Sequence, residues 1–133
     1  MVRAVPQHLA RCSRGFTLIE LLVVLAIVST LLLLVVPRYF SQVEASKDAV
    51  LRDNLRTTRD VIEKFYGDNG RYPETLEELV EKKYLRAVPV DPITESAATW
   101  KILPAPDGYK GAVYDIHSGA TGTARDGKNY ADW

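Results

Sequence analysis

Hydrophobic residues fall into three regimes along the chain. From Phe16 to Val36 they run almost unbroken for 21 positions, and Glu20 is the one formally charged residue among them. At ~1.5 Å of rise per residue such a helix is about 31 Å long, which is the thickness of a bilayer core. Beyond Pro37 apolar and charged residues interleave. Phe40, Val43, Leu51, Leu55, Thr58, Ile62 and Phe65 recur mostly at steps of three and four, while Arg52, Asp53, Arg56, Arg59, Asp60, Glu63 and Lys64 cover the other faces. This periodicity predicts that the apolar helix continues as an amphipathic one whose stripe seats a small sheet. Pro37 lacks an amide hydrogen and crowds the turn before it, so a kink or weakened turn is expected near Leu33.

Gly67-Asp68-Asn69-Gly70 supplies the left-handed residues that end a helix. Thr75 and Glu78 then stand at capping-box spacing, predicting a short helix over Leu76 to Lys83 with Leu76, Leu79 and Val80 inward. In the third regime, from Tyr84 onward, the pattern is turn-rich. Val88 to Thr94 holds two prolines and reads as an irregular connector. Thr99 to Leu103 and Ala112 to His117 are the strand candidates, separated by the turn-forming Pro104-Ala105-Pro106-Asp107-Gly108. Alternation buries Trp100, Ile102, Val113 or Tyr114, and Ile116, with the register left open. The expected class is α+β: a long N-terminal helix packed on a short helix and a small antiparallel sheet of two or three strands.

An acid inside a membrane helix costs about 2.5–3.5 kcal/mol at the bilayer centre and less near an interface, so Glu20 needs a reason. The surrounding residues supply one. Arg14-Gly15-Phe16-Thr17-Leu18-Ile19-Glu20-Leu21-Leu22-Val23-Val24-Leu25-Ala26-Ile27, continued by Val36-Pro37-Arg38-Tyr39, resembles the class III signal of type IV pilins and type II secretion pseudopilins. The resemblance implies a leader over 1–15 cut between Gly15 and Phe16 by a membrane-embedded aspartyl prepilin peptidase. It also implies methylation of the new Phe16 amino terminus, a transmembrane and assembly helix over 16–36, and Glu20 as the assembly residue. A second stretch, Asp68-Asn69-Gly70-Arg71-Tyr72-Pro73, resembles the loop that follows the long helix in pseudopilins. The pilin-like fold so implied covers 37–133 as a periplasmic domain that includes the amphipathic half of the helix. In the family's filaments a stretch before the proline loosens, and residues 29–37 correspond to it.

Electrostatics agree with this orientation. Arg3, Arg11 and Arg14 precede the apolar run, and residues 1–15 contain no acid, so the N-terminus is expected in the cytoplasm and the bulk of the chain outside the inner membrane. An ordinary secretory signal has a shorter apolar core followed by a small-residue cleavage site, and Val35-Val36-Pro37 offers none. Loss of the leader leaves 17 acids against 14 bases, a balance that argues against nucleic-acid binding. Cys12, the single cysteine, leaves with the leader, so no disulfide can form within the mature subunit, and filament packing is expected to supply stability.

Major pseudopilins often bind calcium in a C-terminal loop, and the resemblance brings forward the Ile116 carbonyl, Ser118, Asp126 and Asp132 as oxygen donors. Calcium takes six to eight hard oxygens. Where the family has Asp-Gly soon after the serine, however, this chain has Ala120-Thr121-Gly122. The expectation is therefore no cofactor, with an Asp-Gly turn and Trp133 packed on the domain. No catalytic constellation is visible. His8 lies in the leader, His117 in a strand, and phosphate-cradling glycine loops, metal-ligand clusters and a mature cysteine nucleophile are lacking. The resemblance thus implies a structural subunit of a type II secretion pseudopilus that polymerises with itself to drive export of folded proteins. Expected partners are minor pseudopilins, the prepilin peptidase, the inner-membrane assembly platform and, before assembly, lipid. The alternative is a type IV pilin for adhesion, motility or DNA uptake.

Overall fold

The computed structural model describes residues 14–133. Helix α1 spans Leu18–Asn69, and the chain divides into two compact units, one ending at Tyr39 and one covering Phe40–Trp133. In the first unit α1 exposes its apolar side chains throughout, from Leu18 to Val36. It is long and apolar enough to cross a membrane. The helix is continuous across Pro37.

The second unit follows the pattern of the stripe. Leu51, Leu55, Thr58, Ile62 and Phe65 of α1 are buried as the periodicity predicts, whereas Phe40 is 62% exposed and Val43 only half-buried. The stripe therefore begins later than expected, and its first buried member is a charged residue, Asp48. Thr58 is tolerated in the core because its hydroxyl donates to the Asn54 carbonyl one turn back, at 2.7 Å. The helix ends at Asn69, where Gly70 takes a φ of +66° and its N–H donates to Tyr66 O at 2.8 Å.

Helix α2 covers Leu76–Glu81, two residues shorter than predicted. Thr75 is its N-cap, accepting from Glu78 N at 3.2 Å, but Glu78 reaches back to Glu74 N (2.7 Å), one residue before the cap. Arg71 also pairs with Glu78, and this guanidinium holds the carboxyl below its ordinary value. Leu76 and Leu79 are buried while Val80 is half-buried. Lys83, at a φ of +64°, turns the chain away.

Strands β1 (Lys101–Leu103) and β2 (Asp115–His117) pair antiparallel in the register Lys101 with His117, Ile102 with Ile116 and Leu103 with Asp115. Both are shorter than the sequence pattern suggests. The flanking residues turn to other partners: Ala112 N and Val113 N both donate to Pro73 O, at 3.1 and 2.9 Å, and Tyr72 N donates to Lys110 O at 2.8 Å. These bonds stitch the loop after α1 to the approach of β2. Gly111 is required there, since its φ is +108° and a Cβ would lie 2.2 Å from the Tyr72 carbonyl oxygen. Of the residues left open by alternation, Trp100, Val113 and Ile116 are buried, whereas Ile102 and Tyr114 are exposed. The core joins Leu51, Leu55, Ile62 and Phe65 to Leu79, Trp100, Val113, Ile116 and Trp133. The expected α+β arrangement of long helix, short helix and two-stranded sheet is what the second unit contains, closed by a 3-10 turn at Tyr130–Asp132.

Candidate functional site: the helix start and the C-terminal clasp

Two places carry the residues singled out by the sequence. The first is the start of α1. Arg14 to Thr17 have no regular structure, so Gly15 and Phe16 precede the helix on exposed backbone, and the Phe16 side chain is 88% exposed. Thr17 then closes a reciprocal cap with Glu20. Its hydroxyl accepts from Glu20 N at 3.2 Å, and its N–H donates to Glu20 Oε2 at 3.5 Å. Leu21 N donates to the Thr17 carbonyl at 3.2 Å, the first bond of the helix ladder. This is a capping box, and it places a carboxylate in the first turn, where the helix dipole favours negative charge. Thr17 was not among the predicted site residues. Its signal was present in the Thr-x-x-Glu spacing, read at Thr75 but not here. Phe16, Thr17, Leu18, Glu20, Leu21 and Val24 line one largely apolar hollow. His8 and Cys12, with the other residues 1–13 of the expected leader, lie outside the described residues.

The second place is β2 with the C-terminal segment after it, clasped by three α1 side chains. Asp48 accepts from the Tyr130 hydroxyl at 2.7 Å and from Arg125 N at 3.3 Å. Arg52 donates to Asp126 Oδ2 at 2.6 Å, and its guanidinium carbon lies 4.2 Å from the Trp133 ring centroid. Arg59 donates to Asp115 Oδ1 at 2.7 Å and to the Ile116 carbonyl at 2.8 Å. Burial and the Asp48 hydrogen bond push the Tyr130 phenol up to about 12. The Lys128 N–H, with Arg52 beside it, holds the Asp126 carboxyl below its ordinary value.

These contacts decide how well the segment fits calcium. The Ile116 carbonyl is taken by Arg59, and the Ser118 hydroxyl is buried and donates to Asp91 Oδ2 at 2.5 Å. Asp126 is engaged by Arg52 and by Lys128 N. Asp126 and Asp132 do line a common cleft, but Arg52, Arg56, Arg59 and Lys128 line it too. Among the described residues no group of three or more His, Cys, Asp or Glu is placed to hold a metal ion. The Ile116, Ser118 and Asp126 oxygens thus face the chain's own partners, Arg59, Asp91 and Arg52 with Lys128 N, and the arrangement does not fit the ion. Asp91 and Asp48, absent from the candidate set, are the buried carboxylates that organise the region. His117 packs as expected of a strand histidine, with Nδ1 2.9 Å from the Ala131 carbonyl oxygen.

Comparison with known proteins places this geometry. A family model described as the prokaryotic N-terminal methylation motif matches residues 10–36. The type II secretion system core protein G of Pseudomonas aeruginosa is 35% identical over 98 residues, spanning 62% of this chain and 69% of that protein. The chain belongs to the core protein G family of type II secretion pseudopilins. A second relative of this pseudopilin is the type IV major pilin protein PilA of Myxococcus xanthus, 31% identical over 67 residues, which span 50% of this chain and 30% of the pilin. Neither relative is named for an enzymatic activity. No solved structure matches the pseudopilin at a significant level. The methylation motif encloses Gly15, Phe16, Thr17 and Glu20, so the cap described above lies within the stretch that defines the motif.

Proposed function

We propose that the chain is made as an inner-membrane precursor, cut between Gly15 and Phe16, methylated on the Phe16 nitrogen and polymerised into a type II secretion pseudopilus. The likeness to core protein G over 69% of that protein carries the reading. In this reading residues 1–15 are the leader, 16–36 the membrane and assembly helix, and 37–133 the periplasmic domain. The irregular, exposed backbone at Gly15 and Phe16 suits a peptidase that must hold the scissile bond extended. After cleavage Phe16 bears a positive amine, and the Glu20 carboxylate of a neighbouring subunit is its partner in the filament. The Thr17 N–H gives that carboxylate a single long contact, at 3.5 Å, while the subunit waits in the membrane.

The action is mechanical. The exposed apolar face of α1 exchanges lipid for neighbouring helices, so little apolar surface is uncovered as a subunit leaves the bilayer. Association is then governed by side-chain packing and by polar pairing at Glu20. The growing filament, capped by minor pseudopilins and fed by an inner-membrane platform, pushes or gates folded proteins through an outer-membrane channel. The Myxococcus relative supports a second reading, a type IV pilin for adhesion, motility or DNA uptake.

Intact mass of the protein from a host with its own prepilin peptidase tests processing. A product starting at methylated Phe16 is expected, and an intact Met1 terminus refutes the proposal. Deletion of the gene then separates the readings: loss of extracellular proteins with surface motility intact marks a secretion pseudopilus, and the reverse marks a pilus.

A further inference from the structure

We infer that this pseudopilin fastens its C-terminal segment with its own guanidinium, Arg52 doing without a metal what calcium does in a loop that binds it, so that the fold is independent of divalent ions. The segment between β2 and Trp133 has no ladder to hold it beyond an isolated bridge from Thr123 to Asn129, so something must tie it to the helix. A calcium loop solves that problem by gathering carboxylates and carbonyls around a divalent charge. Here Asp48, Arg52 and Asp126 find their partners within the chain. Arg52 reaches one loop carboxylate, Asp126, and lies over the ring of Trp133, the residue that seals this end of the core. In the opposite sense, Asp48 one turn earlier on α1 receives two donors from the loop, the Tyr130 hydroxyl and Arg125 N. Tyr130 and Trp133 meet edge to face with centroids 5.4 Å apart, so the two anchors share one aromatic pair. A calcium ion entering here would need Asp126 stripped from Arg52 and Lys128 N, and Asp115 from Arg59, before either carboxylate could serve as a ligand.

The inference concerns the folded domain and holds for a secretion pseudopilin or a pilin alike. Its test is thermal unfolding of the full chain in detergent, followed by tryptophan fluorescence, since Trp100 and Trp133 both lie in the second unit. Midpoints in excess EGTA and in excess calcium are expected to coincide. A functional site saturated a hundredfold over its Kd would instead separate them by roughly 10–20 °C, and any calcium-dependent rise of this kind overturns the inference. Arg52→Gln is expected to lower the midpoint by roughly 5–10 °C in EGTA and in calcium alike. Arg52→Lys keeps the charge without the planar stack and is expected to recover part of the loss. Acid titration adds a readout specific to the pair. The wild-type midpoint falls as Asp126 protonates, and Arg52→Gln shallows that limb in part, the Lys128 N–H bond to Asp126 remaining. An unchanged midpoint in Arg52→Gln, or an acid limb identical to wild type, also overturns the inference.

Discussion

Glu20 has two partners to explain it, the intrachain cap with Thr17 and the proposed intersubunit amine, and their magnitudes differ enough to be separated. Losing a capping hydroxyl costs a helix about 1 kcal/mol, a factor of roughly five. The cap belongs to the single subunit, so it weighs on the membrane-bound and assembled states together and largely cancels in the assembly equilibrium. An amine and a carboxylate paired away from water behave differently: removing one leaves the other uncompensated, at about 3–5 kcal/mol. Glu20→Ala also relieves the waiting subunit of an acid in lipid, which shifts the equilibrium further from the filament. Glu20→Ala should therefore reduce filament by roughly a hundredfold or more, Thr17→Ala by about fivefold at most. Glu20→Gln is the sharper variant, because glutamine still serves a capping box while carrying no charge. It should fail to assemble almost as completely as Glu20→Ala. The assay is the ratio of mature subunit in sheared filaments to that in membranes, in cells matched for cleaved protein. Equal losses in Thr17→Ala and Glu20→Ala, with Glu20→Gln normal, would reduce Glu20 to a helix cap and refute the pairing.

Further tests address processing, the fold and pH. A Cβ at Gly15 meets nothing within 4 Å, so Gly15→Ala should leave folding intact while precursor accumulates on gels; unchanged conversion to the mature form removes Gly15 from the cleavage site. Gly111→Ala should destabilise the domain by about 2–4 kcal/mol, since it combines a positive φ with overlap on the Tyr72 carbonyl, and chemical denaturation will register it. Tyr130 has its folded value raised from 10.0 to about 12, so its contribution is complete below pH 10 and is lost as pH rises toward 12; Tyr130→Phe should flatten this alkaline limb in thermal scans. Asp126 and Glu78 are lowered, so their contributions are present at neutral pH and disappear as pH falls through their folded values.

Much of this fold was legible because period and punctuation are local. The buried stripe from Leu51 to Phe65, the stop at Asn69 and Gly70 and the Thr75 cap follow from spacing alone. Strand length was not legible. Ala112 and Val113 have strand-like side chains, but their N–H groups serve the Pro73 carbonyl, a partner 39 and 40 residues away in sequence. The partners of the calcium candidates were illegible for a similar reason. Ser118 and Asp126 have the chemistry of ligands, but their oxygens are engaged by Asp91 and Arg52, residues that helix periodicity or connector composition marks as ordinary surface and loop. Asp48 is the clearest omission: a charged residue at a buried position reads as a break in the stripe until the two donors that satisfy it are seen.

Where charge is satisfied therefore differs between the two ends of this pseudopilin. In the domain, Asp48, Arg52, Arg59, Arg71, Glu78, Asp91, Asp115 and Asp126 all find partners within the chain, and among the described residues no buried side-chain nitrogen or oxygen lacks one. On the inference drawn above, a unit closed in this way gains little from an ion. At the helix start the opposite holds. The Glu20 carboxylate has one long contact at 3.5 Å and remains exposed amid apolar surface, a condition that lipid penalises and a neighbouring amine relieves. On the proposed function, polymerisation would draw on the end of the molecule left incomplete. A subunit whose domain is disrupted, as by Gly111→Ala, should still be cleaved and still enter mixed filaments with wild type, whereas Glu20→Gln should be cleaved and excluded from them. Co-expression with a tagged wild-type subunit measures this directly, and exclusion of the domain variant with inclusion of Glu20→Gln would reverse the assignment.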